Sequence, residues 1–279
     1  MSRIFEALQK SNAELGNAPV PPPEAAADAS ELLQQVSHDS LQLDQCATFV
    51  IPAVPQSRIV MITDGKGLGA EKIRVLSTKL RHLRQKRRLS RLLVTSCMKG
   101  EGKSVVASNL AIALAKHGKV PVLLIDGDFR LPGLSRMMGL ENGVGISTWW
   151  ANNTPPQQLL RRASDIPLWV LAAGQPAEQP LEILQSRRLA DLLNLLSARF
   201  EWIIIDSPPY APLADSSVWA SLVDGAIFVV RENWTPAKIL QKALQSVDAS
   251  KLVGLVMNES SVSEHRYYDQ YYYGSGSKK

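Results

Sequence analysis

Three short stretches of the chain carry side chains suited to phosphate chemistry. In the first, Cys97-Met98-Lys99-Gly100-Glu101-Gly102-Lys103-Ser104, two glycines precede a lysine and a serine. Gly100 and Gly102 let the backbone turn its N–H groups toward phosphate oxygens, Lys103 reaches a nucleotide's β- and γ-phosphates, and Ser104 offers Mg²⁺ a hydroxyl. Lys99, Glu101 and Val105 complete the expected phosphate-binding stretch. The strict pattern G-x-x-x-x-G-K-S fails at its first position, where Cys97 replaces Gly, and Cys97 reads as a small wall residue rather than a redox switch. The second stretch, VPVLLIDGDFRLPG, brings Asp126, Asp128 and Arg130 to the end of an apolar run; the third, EWIIIDSPP, ends another in Asp206. One acid after a strand is most often a helix cap. Three beside a phosphate loop are better explained by Mg²⁺ and its waters, which need hard oxygen ligands.

The elements that must hold these side chains follow from periodicity. Short apolar runs at 91–95, 120–125, 168–171, 202–205, 226–230 and 252–257 alternate with amphipathic helical patterns at 104–117, 181–199, 213–222 and 236–247. Strands apolar throughout and separated by helices indicate an α/β fold, doubly wound around a mainly parallel sheet. The glycine loop lies between a strand and a helix, as phosphate binding requires, and the acids fall at the carboxyl edge of the sheet, where open α/β sheets bind ligands.

Composition sets the bounds. With 279 residues, 45% of them hydrophobic, the chain can bury a substantial core. Two cysteines exclude a disulfide scaffold, and the sequence carries no apolar run near membrane-spanning length, so the reducing cytoplasm is the expected compartment. The net charge of +5 is local: residues 72–91 hold nine Lys or Arg and no acid, leaving 22 basic against 26 acidic residues elsewhere. That argues against a nucleic-acid partner and reads as a solvated helix face. Five of the six tyrosines, Tyr267, Tyr268, Tyr271, Tyr272 and Tyr273, fall within the last thirteen residues beside a Gly/Ser stretch with little to pack against. The expected organisation is an N-terminal amphipathic helix (1–16), a Pro/Ala-rich linker (17–49), one domain (50–262) and a flexible tyrosine-rich tail (263–279).

From about Glu71 onward the chain resembles the bacterial tyrosine kinases of capsule and exopolysaccharide synthesis. CMKGEGKS is similar to their Walker A motif, LLIDGDFR to their additional D-x-D strand, IIIDSPP to their Walker B and YYDQYYY to their autophosphorylated tyrosine cluster. The resemblance implies a P-loop NTPase fold of the MinD/ParA type that uses ATP and Mg²⁺. It implies metal binding through Ser104, Asp126 and Asp206, with Lys103 at the phosphates and Asp126 or Asp128 accepting the tyrosine proton. Arg130 would bind phosphate or pair with Asp128, and Asn258, which ends KLVGLVMN, would lie near the base. The five tail tyrosines would be the acceptors, phosphorylated in trans within a homo-oligomer. In the family an E-x-x-R-x-x-R helix builds that oligomer; Glu71 and Arg74 match, and Ser77 replaces the last Arg. The separate cytoplasmic members work with a transmembrane polysaccharide co-polymerase, which would recruit this chain to the inner face of the membrane, its N-terminal helix serving as the docking element. The competing readings are a ParA/MinD-type positioning ATPase, whose early signature lysine is Met98 here, and a non-catalytic ATP-binding adaptor.

Overall fold

The structure is a computed structural model that describes residues 42–140, 143–152, 154–210 and 214–260. The chain divides into two units, Met1–Leu41 and Gln42–Lys279. The N-terminal helix, the linker as far as residue 41 and the tyrosine tail lie outside the described residues.

Eight strands form one sheet: β1 (Ala47–Phe49), β2 (Arg91–Ser96), β3 (Val122–Asp126), β4 (Leu160–Ala163), β5 (Leu168–Leu171), β6 (Trp202–Asp206), β7 (Gly225–Arg231) and β8 (Leu252–Asn258). Their spatial order is β1-β4-β5-β3-β6-β2-β7-β8, parallel at every pairing except β4 with β5. The helices are α1 (Val60–Thr63), α2 (Leu68–Lys86), α3 (Lys103–Gly118), α4 (Leu134–Met137), α5 (Ile146–Asn152), α6 (Pro156–Leu159), α7 (Pro180–Gln185), α8 (Arg187–Ser197), α9 (Ala214–Ser221) and α10 (Ala237–Gln245). The molecule is thus the expected doubly wound α/β fold.

Three expectations are corrected. The sheet starts inside the stretch assigned to the linker: Ala47–Phe49 pairs with Arg161–Ala163 at the sheet edge, a strand too short and too exposed to show an apolar run. The pattern at 181–199 is two helices. They break at Ser186, whose Oγ accepts from Leu189 N–H at 3.1 Å and donates to Ile183 O at 2.7 Å, so it caps α8 while closing α7. α3 is not amphipathic, because every residue from Val106 to Ala115 is buried between the sheet and α2. The basic stretch is mostly α2, which turns Ala70, Ser77 and Leu80 inward and leaves Lys72, Lys79, Arg81 and Lys86 exposed, the solvated helix face that was expected.

Strand pairing places the chemistry. β6 lies between β3 and β2, and Asp126 is the register partner of Asp206. Two carboxylates from segments eighty residues apart therefore end side by side, next to the strand that leads into the glycine loop.

Candidate active site

β2 ends at Ser96 and the loop reaches α3 through Gly100 (φ 88°) and Gly102 (φ 89°). Side chains rarely adopt that backbone region, and at Gly102 a Cβ would fall 2.1 Å from Asn258 Nδ2. With glycine at the N-cap, no side chain bonds the first N–H groups of α3, which leaves them to a phosphate.

The loop is braced from beneath. Glu101, fully buried, accepts from Met98 N–H at 2.7 Å through Oε2 and from the Thr235 hydroxyl through Oε1, and its carbonyl accepts from Asn258 Nδ2 at 3.0 Å. Thr235 in turn accepts from Arg231 N–H at 3.0 Å. One N–H of the Asn258 amide thus braces the loop's backbone. Thr235, in the turn after β7, was invisible to motif reading because its partner lies 134 residues away.

Lys103 Nζ stands 3.8 Å from Asp128 Oδ2 and 3.9 Å from Asp206 Oδ1, and donates to Ser104 Oγ at 3.4 Å. Asp126 accepts from Asp128 N–H and Leu134 N–H, both at 3.2 Å. Its burial, reinforced by the Asp206 charge, pushes it up to about 7. Burial also raises Asp206, opposed by Lys103 and a side-chain hydrogen bond from Ser104. Gly127 between the acids has a steric reason: a Cβ there would sit 2.8 Å from Asp206 O and 2.9 Å from Trp219, whose Nε1 donates to Gly127 O at 3.0 Å. The wholly buried Trp219 therefore sets how closely the Asp126 turn approaches β6, a role without a sequence signal.

The donors fit a hard divalent cation. Buried Asp206 Oδ1 accepts no hydrogen bond, and Ser104 Oγ and Asp126 supply further hard oxygens. Among the described residues no three His, Cys, Asp or Glu side chains form a cage of their own. Such a donor set suits Mg²⁺, which characteristically takes one or two carboxylates plus phosphate oxygens and water.

Other expected residues fall elsewhere. Arg130 does not pair with Asp128; it forms a two-pronged pair with buried Asp215, Nε to Oδ2 at 2.7 Å and Nη2 to Oδ1 at 3.0 Å, which anchors the D-x-D turn to α9. Lys99 and Gly100 are exposed at the rim and Val105 is half-buried. Cys97 is fully buried and its thiol is pushed up to about 11 by burial and the Glu101 charge, as a wall residue requires. Glu71 and Arg74 pair at 2.6 Å, Arg74 also donates to Gly65 O, and buried Ser77 caps back onto Arg74 O at 2.8 Å. The five tail tyrosines lie outside the described residues.

The family described as ParA, NUBPL iron-transfer P-loop NTPase, matches residues 89–279. Tyrosine-protein kinase YwqD of Bacillus subtilis is 32% identical over 222 residues, spanning 79% of this chain and 92% of that protein. The succinoglycan biosynthesis transport protein ExoP of Rhizobium meliloti is 32% identical over 185 residues, 62% of this chain and 22% of that longer protein. Among solved structures, the chimerical protein CapA2B2 superposes with a TM-score of 0.69 at 24% identity, covering 83% of this chain and 99% of that one.

Proposed function

The chain belongs to the bacterial tyrosine kinases of capsule and exopolysaccharide biosynthesis, P-loop NTPases of the ParA type, and from that premise we propose that it transfers the ATP γ-phosphoryl group to the tyrosines of its own tail, in trans between subunits. The observation that carries this reading is the Asp126–Asp206 register pair beside the loop, with Lys103 within 4 Å of both Asp128 and Asp206.

The loop amides and the N-terminus of α3 orient the phosphates, and Lys103 stabilises charge that builds on the γ-phosphoryl oxygens. Ser104, Asp126 and Asp206 would hold Mg²⁺, which when bound neutralises β- and γ-phosphate charge. The tyrosine Oη forms the new bond to phosphorus as the bond to the ADP oxygen breaks, and the phenolic proton passes to a carboxylate. Asp128 suits that last task better than Asp126: it keeps 7% exposure and accepts one backbone N–H, from Leu131, whereas Asp126 is fully covered and accepts two. By the same reading the protein is cytoplasmic, oligomeric and recruited to the membrane by a polysaccharide co-polymerase. ExoP, the longer relative with a transport name, supports that setting.

Intact-mass spectrometry after incubation with Mg²⁺ and ATP tests the proposal. Successive phosphate additions are expected on wild type, with at least a ~100-fold loss of rate in Lys103→Met and no addition when the five tail tyrosines are Phe. An unmodified wild type, even with a cytoplasmic co-polymerase segment added, alongside steady ATP hydrolysis would overturn it in favour of the positioning ATPase.

A further inference from the structure

A groove of about 380 Å³ runs between α2 and β8, away from the phosphate loop. Leu76, Leu80 and Leu83 line its α2 wall at helical spacing, and Gly254 and Val256 line the β8 wall. A methyl group at Gly254 would meet no heavy atom within 4 Å, so this wall is open where a side chain would otherwise stand. β8 is last in the strand order, so no described strand pairs with its outer edge. Two exposed lysines, Lys79 and Lys86, stand along the rim with His82 between them, and none of the three side chains makes an ion pair or hydrogen bond among the described residues. Arg84 and Arg88 on the same stretch are already matched, to Glu201 and Asp224.

An apolar slot favours a ring and a cationic rim favours an anion; phosphotyrosine is both. We propose that this groove docks the chain's own C-terminal segment, residues 261–279, once its tyrosines carry phosphate. Attachment and charge select that occupant. The segment follows directly from β8, which forms one wall, and it holds five of the chain's six tyrosines. Tyr267 lies nine residues beyond Asn258 and reaches up to ~30 Å from it; folding back along β8 to Gly254 takes ~13 Å. Unphosphorylated, the segment carries Glu264 and Asp269 against Arg266, Lys278 and Lys279, a slight positive excess that the rim repels. Each phosphate adds about −1.5 to −2 charges and reverses the sign. Docking therefore follows phosphorylation and withdraws spent acceptors from the catalytic sites of neighbouring subunits.

The inference rests on the tail being the phosphoacceptor, so its test supplies the phosphate chemically. A labelled synthetic peptide of residues 261–279, phosphorylated at Tyr267 and Tyr271 or left bare, is titrated by fluorescence anisotropy onto the full chain carrying Phe at the five tail positions. The phosphopeptide is expected to bind at least tenfold more tightly than the bare one. That preference should be lost in Lys79→Glu/Lys86→Glu and, independently, in Gly254→Leu, which fills the slot from an open position and leaves folding, read by circular dichroism, intact. Equal affinity for the two peptides, or a preference untouched by both variants, would overturn the proposal. So would failure of the phosphopeptide to bind while phosphatidylserine vesicles bind in a Lys79- and Lys86-dependent manner, which would assign the rim to a membrane surface. Because the peptide arrives phosphorylated, these outcomes do not depend on whether the chain is its own kinase.

Discussion

Asp126 is a carboxyl group whose burial favours the protonated form far more than water does. Burial and the neighbouring Asp206 hold it near 7, whereas in an unfolded chain an aspartate titrates near 4. Between those values the folded state retains a proton that the unfolded state has lost, so Asp126 lowers stability progressively as pH rises from about 4 to about 7. Asp126→Asn removes that dependence. Urea midpoints are expected to show the variant gaining on wild type by on the order of 3 kcal/mol between pH 4 and pH 8, over a constant offset from an amide facing backbone N–H groups. Mg²⁺ with nucleotide should close the gap by stabilising wild type alone. An unchanging gap would mean that Asp126 is ionised in the metal-free protein. At this scale the sequence was legible wherever a motif's spacing carries its own physics: Lys103, Ser104, Asp126 and Asp206 all reach one site. Of the two partners expected for Arg130, Asp128 was wrong because the real one, Asp215, lies 85 positions away and no spacing announces it.

Between elements, the Arg130–Asp215 pair holds the D-x-D turn against α9. Asp215 is 2% exposed at its side chain and the guanidinium 42%, so removing the arginine strands a buried acid while the pair itself is part-screened by water. Arg130→Ala is expected to destabilise the fold by about 1–3 kcal/mol and to weaken nucleotide affinity. Restoration of stability by Asp215→Asn on that background, measured by thermal denaturation, would tie the loss to the stranded charge. A nucleotide affinity that drops without any loss of stability would instead return Arg130 to the phosphate. The two edge-side strands that escaped sequence reading share a cause. β1 and β4 are three and four residues long, and β4, Leu-Arg-Arg-Ala, is half polar, so neither shows the apolar run that revealed the central strands. The break at Ser186 was hidden because the leucines of α7 and α8 continue one another's periodicity.

For the molecule as a whole, doubly wound topology was legible because the strands flanking the site carry uninterrupted apolar runs, Leu92–Val94, Val122–Ile125 and Trp202–Ile205, whose successive side chains need cover on both faces of the sheet. The strand order itself was not: that β6 separates β3 from β2 depends on crossovers that leave no local mark. The buried run Val106–Ala115 carries a further consequence for motion. Its amides lie in the middle of the core, on the helix that starts at the phosphate loop. In hydrogen–deuterium exchange they are expected to open only when the entire domain unfolds, with protection near the global stability, while amides of Lys99 to Gly102 exchange through small local excursions that nucleotide suppresses. Ligand turnover would then leave the anchor of the loop still, so that each catalytic cycle disturbs only the few residues above it.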